Sequence, residues 1–247
     1  MNLSVLDIFK IGIGPSSSHT MGPMNAARGF VSDLAARALL EQVTKVGVQV
    51  YGSLALTGKG HCTDRAILLG LEGQRPDTIE PADMEPAIER IRRSGRLRLG
   101  GAREIEFDEP LDLLFHRDQV LPLHPNGMRF TAFDSGGDVL HRDEYYSTGG
   151  GFTVRAAQFG QPGDAAKQVA VPHPFDSALD LLASARSLGL ELHELVLANE
   201  RAFRSEAETR AALLGIWSVM SDCIERGFAS SGLLPGVLNV RRRAGRM

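Results

Sequence analysis

The spacing of apolar residues changes abruptly near residue 43, and this change most limits the folds open to the chain. Between Asn25 and Gln42, Ala27, Phe30, Val31, Leu34 and Ala38 recur at helical spacing. From Thr44 to Ser53 the period drops to two, with Val46, Val48 and Val50 separated by Gly47 and Gln49. A one-faced helix followed by a one-faced strand must bury both faces in a shared layer, which calls for helices on a sheet. The pattern continues in kind. Thr63–Leu71 reads as a helix capped by Thr63 or Asp64, and Met84–Arg93 as a short charged helix. Met128–Phe133, a turn at 134–138 and Val139–Tyr146 read as a hairpin. Helices are expected at 176–188 and 192–203, and a third runs from a Ser205/Glu208 capping box to about Arg226. The expected class is α+β, a mixed sheet with helices, followed by a helical segment.

This order divides the chain into residues 1–160, a Gly-rich α+β domain; 161–229, a helical extension; and 230–247, a linker without periodicity. With 247 residues, 43% apolar and 23% charged, the sequence can bury a sizeable core. A net charge of -3 argues against nucleic acid as partner, and the tail Arg241, Arg242, Arg243, Arg246 is too short to reverse that. No stretch approaches the roughly 20 apolar residues of a membrane span. Residues 1–10 carry Asp7 and lack a signal-peptide pattern, so a cytoplasmic protein is expected. The two cysteines, Cys62 and Cys223, form no CxxC pair, so this chain offers no metal-ligand set of its own. Cys223 sits among Ile216, Val219, Met220 and Ile224 and is expected in the core, whereas Cys62 lies near a candidate site.

Four segments break the rules of ordinary core or surface sequence. Residues 12–23 (GIGPSSSHTMGP) place three serines, His19 and Thr20 directly before a helix, where unpaired N–H groups can hold a carboxylate or phosphate. A Ser-rich helix cap is the simpler account, but three serines followed by His-Thr exceed what a cap needs. Residues 52–64 superficially resemble a P-loop, yet Gly60 stands where Ser or Thr is required. What remains is Lys59 and His61 in a Gly-rich loop between strand and helix. His124-Pro125-Asn126-Gly127 is either a tight turn or a loop that projects His124 and Asn126 into a cleft. Gly149-Gly150-Gly151 at a strand end suits close approach of another backbone or a ligand. His116, His141, His173 and His193 lack such settings and read as surface or structural.

Taken together, residues 4–20 (SVLDIFKIGIGPSSSHT), 52–61 (GSLALTGKGH), 121–128 (LPLHPNGM), 145–152 (YYSTGGGF) and 234–236 (LPG), with the arginines that follow, resemble in order the N-terminal (beta) region of the iron–sulfur-dependent, single-chain bacterial L-serine dehydratases, or L-serine ammonia-lyases. The resemblance implies elimination of water from L-serine to give pyruvate and ammonia. It implies a 4Fe-4S cluster held by three cysteines of a C-terminal helical domain that this sequence does not contain, so that this chain alone would be inactive. It also implies a fold similar to the allosteric substrate-binding domain of D-3-phosphoglycerate dehydrogenase. Ser16, Ser17, Ser18 and Thr20 would then bind the substrate carboxylate, with Lys59 balancing its charge. His124, Asn126 and Ser147 would complete the substrate contacts, and His61, ranked ahead of His19, would be the base. The expected partners are L-serine, the cluster-binding domain and a second copy in a homodimer. The alternative is a serine- or phosphate-sensing module without activity, which a Cys-bearing helical continuation would argue against.

Overall fold

A computed structural model describes residues 4–160, 169–234 and 239–246. It comprises two compact units: Met1–Ile11, Gly160–Gly232 and Arg242–Met247 form one, Gly12–Phe159 and Leu233–Arg241 the other.

The second unit carries the sheet. A π turn, Ser17–Met21, leads without a break into α2 (Gly22–Ala36), the short Val5–Ile8 being α1. The helix thus starts earlier than the apolar spacing suggests and ends at Ala36, because Ala38 takes a left-handed conformation (φ 57°). The strand β1 (Lys45–Tyr51) buries Val46, Val48 and Val50 as its alternation requires. Next come α3 (Gly52–Thr57), a 3-10 turn (Gly58–His61), α4 (Thr63–Leu71), α5 (Pro81–Ser94), the hairpin β2 (Arg96–Leu99) and β3 (Arg103–Glu106), α6 (Glu109–Asp112) and β4 (Leu113–His116). The unit finishes with β5 (Gly127–Phe133), β6 (Val139–Gly149) and β7 (Phe152–Arg155). The main sheet runs β4-β1-β5-β6-β7, with β4 parallel to β1 and the remaining pairs antiparallel. The expected α+β class with a mixed sheet is what the structure shows.

α2 and α4 cover one face of the sheet. Phe30 stacks on Phe130, and Met24, Leu34, Ile67, Leu68 and Leu71 are fully buried in the same cluster. The two helices meet at Gly70, where a Cβ would lie 2.3 Å from the Met24 carbonyl oxygen. A smaller cluster of Tyr51, Leu121 and Tyr146 packs with Phe159.

Two expectations fail within this unit. Residues 52–61 are a short helix and a 3-10 turn, not an open loop: Gly52 turns the chain at φ 56° and Leu54 and Ala55 bury. Neither Thr63 nor Asp64 caps α4. Its N-cap is Cys62, itself left-handed (φ 58°), because the Thr63 hydroxyl donates to the His19 carbonyl and Asp64 pairs with Arg92.

The other unit holds α7 (Ala178–Leu188), α8 (Leu192–Glu200) and α9 (Glu206–Ala229), whose Ser205/Glu208 capping box forms as read. Ser4 at the start of α1 donates to buried Glu200, which also receives the Val5 amide and Arg204. Cys223 is exposed rather than in the core. Only Thr209 of α9 is buried, and Trp217, Met220 and Ile224 of its apolar stripe face outward. Helical spacing marks a stripe but cannot say whether anything covers it. Among the described residues, no helix is long and apolar enough to cross a membrane.

Candidate active site

The Ser-rich segment begins the long α2 helix in a widened turn. The Ser16 carbonyl accepts from both Thr20 N (2.9 Å) and Met21 N (3.2 Å), and its hydroxyl caps His19 N. The amides of Ser17 and Ser18 have no acceptor among the described residues. Two free N–H groups at the positive end of a helix form a carboxylate-sized donor pair. The turn is held from behind. Thr20, 1% exposed, accepts from Ser16 N and donates to the His61 carbonyl at 2.8 Å. Ser147, fully buried, donates to the Ser18 carbonyl at 2.8 Å. It fits only because residue 22 is glycine: a Cβ there would lie 2.0 Å from the Ser147 hydroxyl oxygen.

The second wall comes from the turn after β1. The carbonyl of Pro125 accepts from Ser53 N and lies where a Gly52 side chain would be, so the HPNG turn fixes the start of α3. The Ser53 hydroxyl reaches His19 Nε2 at 3.2 Å, and the Ser18 hydroxyl reaches His19 Nδ1 at 2.8 Å. Both His19 nitrogens are therefore engaged by hydroxyls. His61 differs. Its Nδ1 lies 3.0 Å from the Thr57 carbonyl, which can only accept, so Nδ1 carries the proton and Nε2 keeps its lone pair in the neutral ring. Nothing among the described residues occupies that Nε2. The two imidazoles lie 4.9 Å apart, centroid to centroid. Burial, and then the nearby His61, hold His19 below the ordinary histidine value of 6.5. A side chain on Gly60, the residue before His61, would meet nothing within 4 Å.

The structure thus joins Ser16, Ser18, His19, Thr20, His61, Asn126 and Ser147 in one network, while Ser17 shares the turn and accepts only from Gly22 N among the described residues. Asn126 enters it by donating through Nδ2 to the Ser147 carbonyl at 3.1 Å, which leaves its Oδ1 unspent. Within the network Thr20, Ser147 and the Ser16 hydroxyl act as scaffold, because their polar atoms are committed to the protein. His124 accepts from the Asn126 amide and shapes the turn. Lys59 stands apart: its ammonium lies over Phe115 (5.7 Å) and lines a separate cavity with α5 and β4. Sequence reading missed Ser53 and Thr63, which hold His19 by its ring and its carbonyl. Their positions at the starts of α3 and α4 were the available signal. The glycine triplet turns with φ 99°, 60° and 78°, and Asn25 donates to the Gly151 carbonyl, so another element does approach there.

No three cysteines meet here. Cys62 is buried at the start of α4 and Cys223 is exposed on α9, so the thiols of this chain do not fit a four-iron cluster. Elsewhere Asp33, His141 and Asp143 offer ligand atoms within 4.8 Å of one another, but Arg37 and Arg155 already neutralise Asp33, and Arg155 also reaches Asp143. His141 otherwise stacks on Phe30, His116 on Tyr51, and His173 exchanges backbone hydrogen bonds with Asn199.

Comparison with known proteins identifies the family. The family model for the serine dehydratase beta chain matches residues 4–158. An L-serine dehydratase from Streptomyces coelicolor is 47% identical over 244 residues, covering 99% of this chain and 54% of that protein. L-serine dehydratase 2 of Escherichia coli is 50% identical over 98% of this chain and 52% of its own length. An L-serine dehydratase of Mycobacterium bovis is 48% identical over 99% and 52% respectively. The chain spans about half the length of the curated relatives it matches.

Proposed function

This chain belongs to the serine dehydratase beta-chain family, and from that premise we propose that it supplies the substrate-binding and proton-abstracting half of an L-serine ammonia-lyase. The observation that carries the reading is the paired arrangement beside the π turn: two unspent amides next to an imidazole whose Nε2 is free and whose Nδ1 is fixed.

In this reading the serine carboxylate lies on the Ser17 and Ser18 amides, with the Ser17 hydroxyl adding a contact. Asn126 Oδ1 accepts from the substrate ammonium. His61 Nε2 takes the α-proton, with the Thr57 carbonyl stabilising the imidazolium that forms. His19, held between two hydroxyls and kept neutral, orients the loop without competing for the proton. The β-hydroxyl leaves as water, taking the proton that His61 removed from the α-carbon and so restoring the neutral imidazole, and the resulting aminoacrylate becomes an imine that hydrolyses to pyruvate and ammonia. Departure of the hydroxyl needs a Lewis acid. The proposal assigns it to a 4Fe-4S cluster ligated by residues of a C-terminal region outside this sequence, in keeping with the absence of a cysteine set here. The proposed setting is a cytoplasmic homodimer in which neither nucleic acid nor membrane takes part.

The test is steady-state kinetics of His61→Ala in the complete enzyme with serine and α-deuterated serine. We expect kcat to fall about 10²–10⁴-fold with little change in KM. Near-normal kcat would move the base to His19 or to the cluster-bearing region.

A further inference from the structure

A charged cavity lies outside the catalytic network. It measures about 1290 Å³, and neither the Ser16–Thr20 turn, Ser53 nor His61 lines it. Its walls come from the end of α5, the segment around β3 and α6, and the β4 edge. Three acids contribute, and two of them are paired: Glu109 holds Arg92 through two hydrogen bonds and Glu106 faces Arg96 at 3.5 Å, while Lys45, whose field reaches Asp108, is paired with Asp112. Three further lining cations, Lys59, Arg93 and Arg117, have no carboxylate partner among the described residues. Elsewhere most arginines of this acidic chain are paired, including Arg37, Arg65, Arg75, Arg90, Arg129 and Arg155.

Arg93 sits in the last turn of α5, where it offsets the carbonyl end of the helix. That account does not reach Lys59 or Arg117, which come from two other segments. The floor beside them is apolar, with Ile91, Leu113 and Phe115. Cations without carboxylate partners in a cavity that also has apolar lining suit a ligand with an anionic head and a hydrophobic body. Lys59 also belongs to the 3-10 turn that carries His61, with only Gly60 between them. A head group that fixes Lys59 therefore fixes the base.

We propose that this cavity binds a small organic dianion, phosphoryl or dicarboxylate, and that its occupancy sets the turn bearing His61. Binding in the cavity and the movement of the His61 turn are read without turnover, whereas the consequence for the base rests on the lyase reading.

The test uses the intact chain and two probes, phenyl phosphate and phthalate, titrated calorimetrically at ionic strength matched with chloride. Saturable binding with Kd below about 1 mM is expected for at least one, and the tighter probe identifies the head group. Arg93→Met with Arg117→Met should weaken it at least about tenfold. These side chains are exposed, and an unchanged melting temperature in chloride checks that the variant folds. In parallel, the His61 ring resonances should shift on saturation in the parent chain and stay still in Lys59→Met. Absence of saturable binding by either probe, or full retention of affinity in the double variant, overturns the site. Saturable binding with motionless His61 resonances overturns the coupling.

Discussion

At the scale of single residues, the site works by separating groups that hold from groups that are free to act. Thr20 is the clearest holder. Its hydroxyl joins Ser16 N to the His61 carbonyl in a buried position, so Thr20→Val keeps the shape and strands two polar groups. A loss of about 1–3 kcal/mol is expected in urea unfolding, whereas a residue binding the carboxylate would show its loss in KM. His19 gives a second outcome. Its folded value lies below 6.5, so on acidification the unfolded chain takes up a proton before the folded one does. The stabilisation is therefore complete above about pH 6.5 and drains away as pH falls toward the folded value. Between about pH 7.5 and about pH 5.5 the urea midpoint should fall more steeply for the parent chain than for His19→Gln. Equal slopes would remove His19 as the source.

Among elements, the contact between α2 and α4 is a close constraint. Alanine in place of Gly70 would gain about 1 kcal/mol of helix propensity. The added carbon, however, meets a backbone carbonyl, and separating two packed helices costs more than that. A net loss of about 1–3 kcal/mol is expected, while Gly215→Ala on α9, with nothing within 4 Å of its Cβ, should gain about 0.5–1 kcal/mol. Thermal unfolding of the two variants checks the contrast. The elements were legible in the sequence wherever one periodicity ran uninterrupted. Val46, Val48 and Val50 announce β1, and the Ser205/Glu208 box announces α9. The site was legible as composition but not as geometry. A π turn of Ser-Ser-His-Thr has no apolar spacing to betray it, and the glycines of residues 52–60 read as loop although Leu54 and Ala55 anchor a helix. Lys59 was read with His61 because the two are neighbours in sequence, yet only Lys59 lines the cavity with α5 and β4.

For the whole molecule, the decisive comparison is between what this chain holds and what the proposed reaction needs. With Cys62 and Cys223 as its only thiols, anaerobic reconstitution with iron and sulfide should leave no stable absorbance near about 400 nm above a thiol-blocked control. A stoichiometric cluster on this chain would sink the assignment of its ligands elsewhere. The division into units bears on how the chain is made. Ser4 and Val5 are tied to Glu200 and Arg204, whereas residues 12–159 form one unbroken stretch between them. At about 5–20 residues per second on the ribosome, α1 waits roughly 10–40 s for its acceptor to emerge, and the strands and histidines of the intervening stretch are synthesised in that interval. Residues 12–159, which carry the sheet, can thus be assembled before the helices that tie down α1 exist.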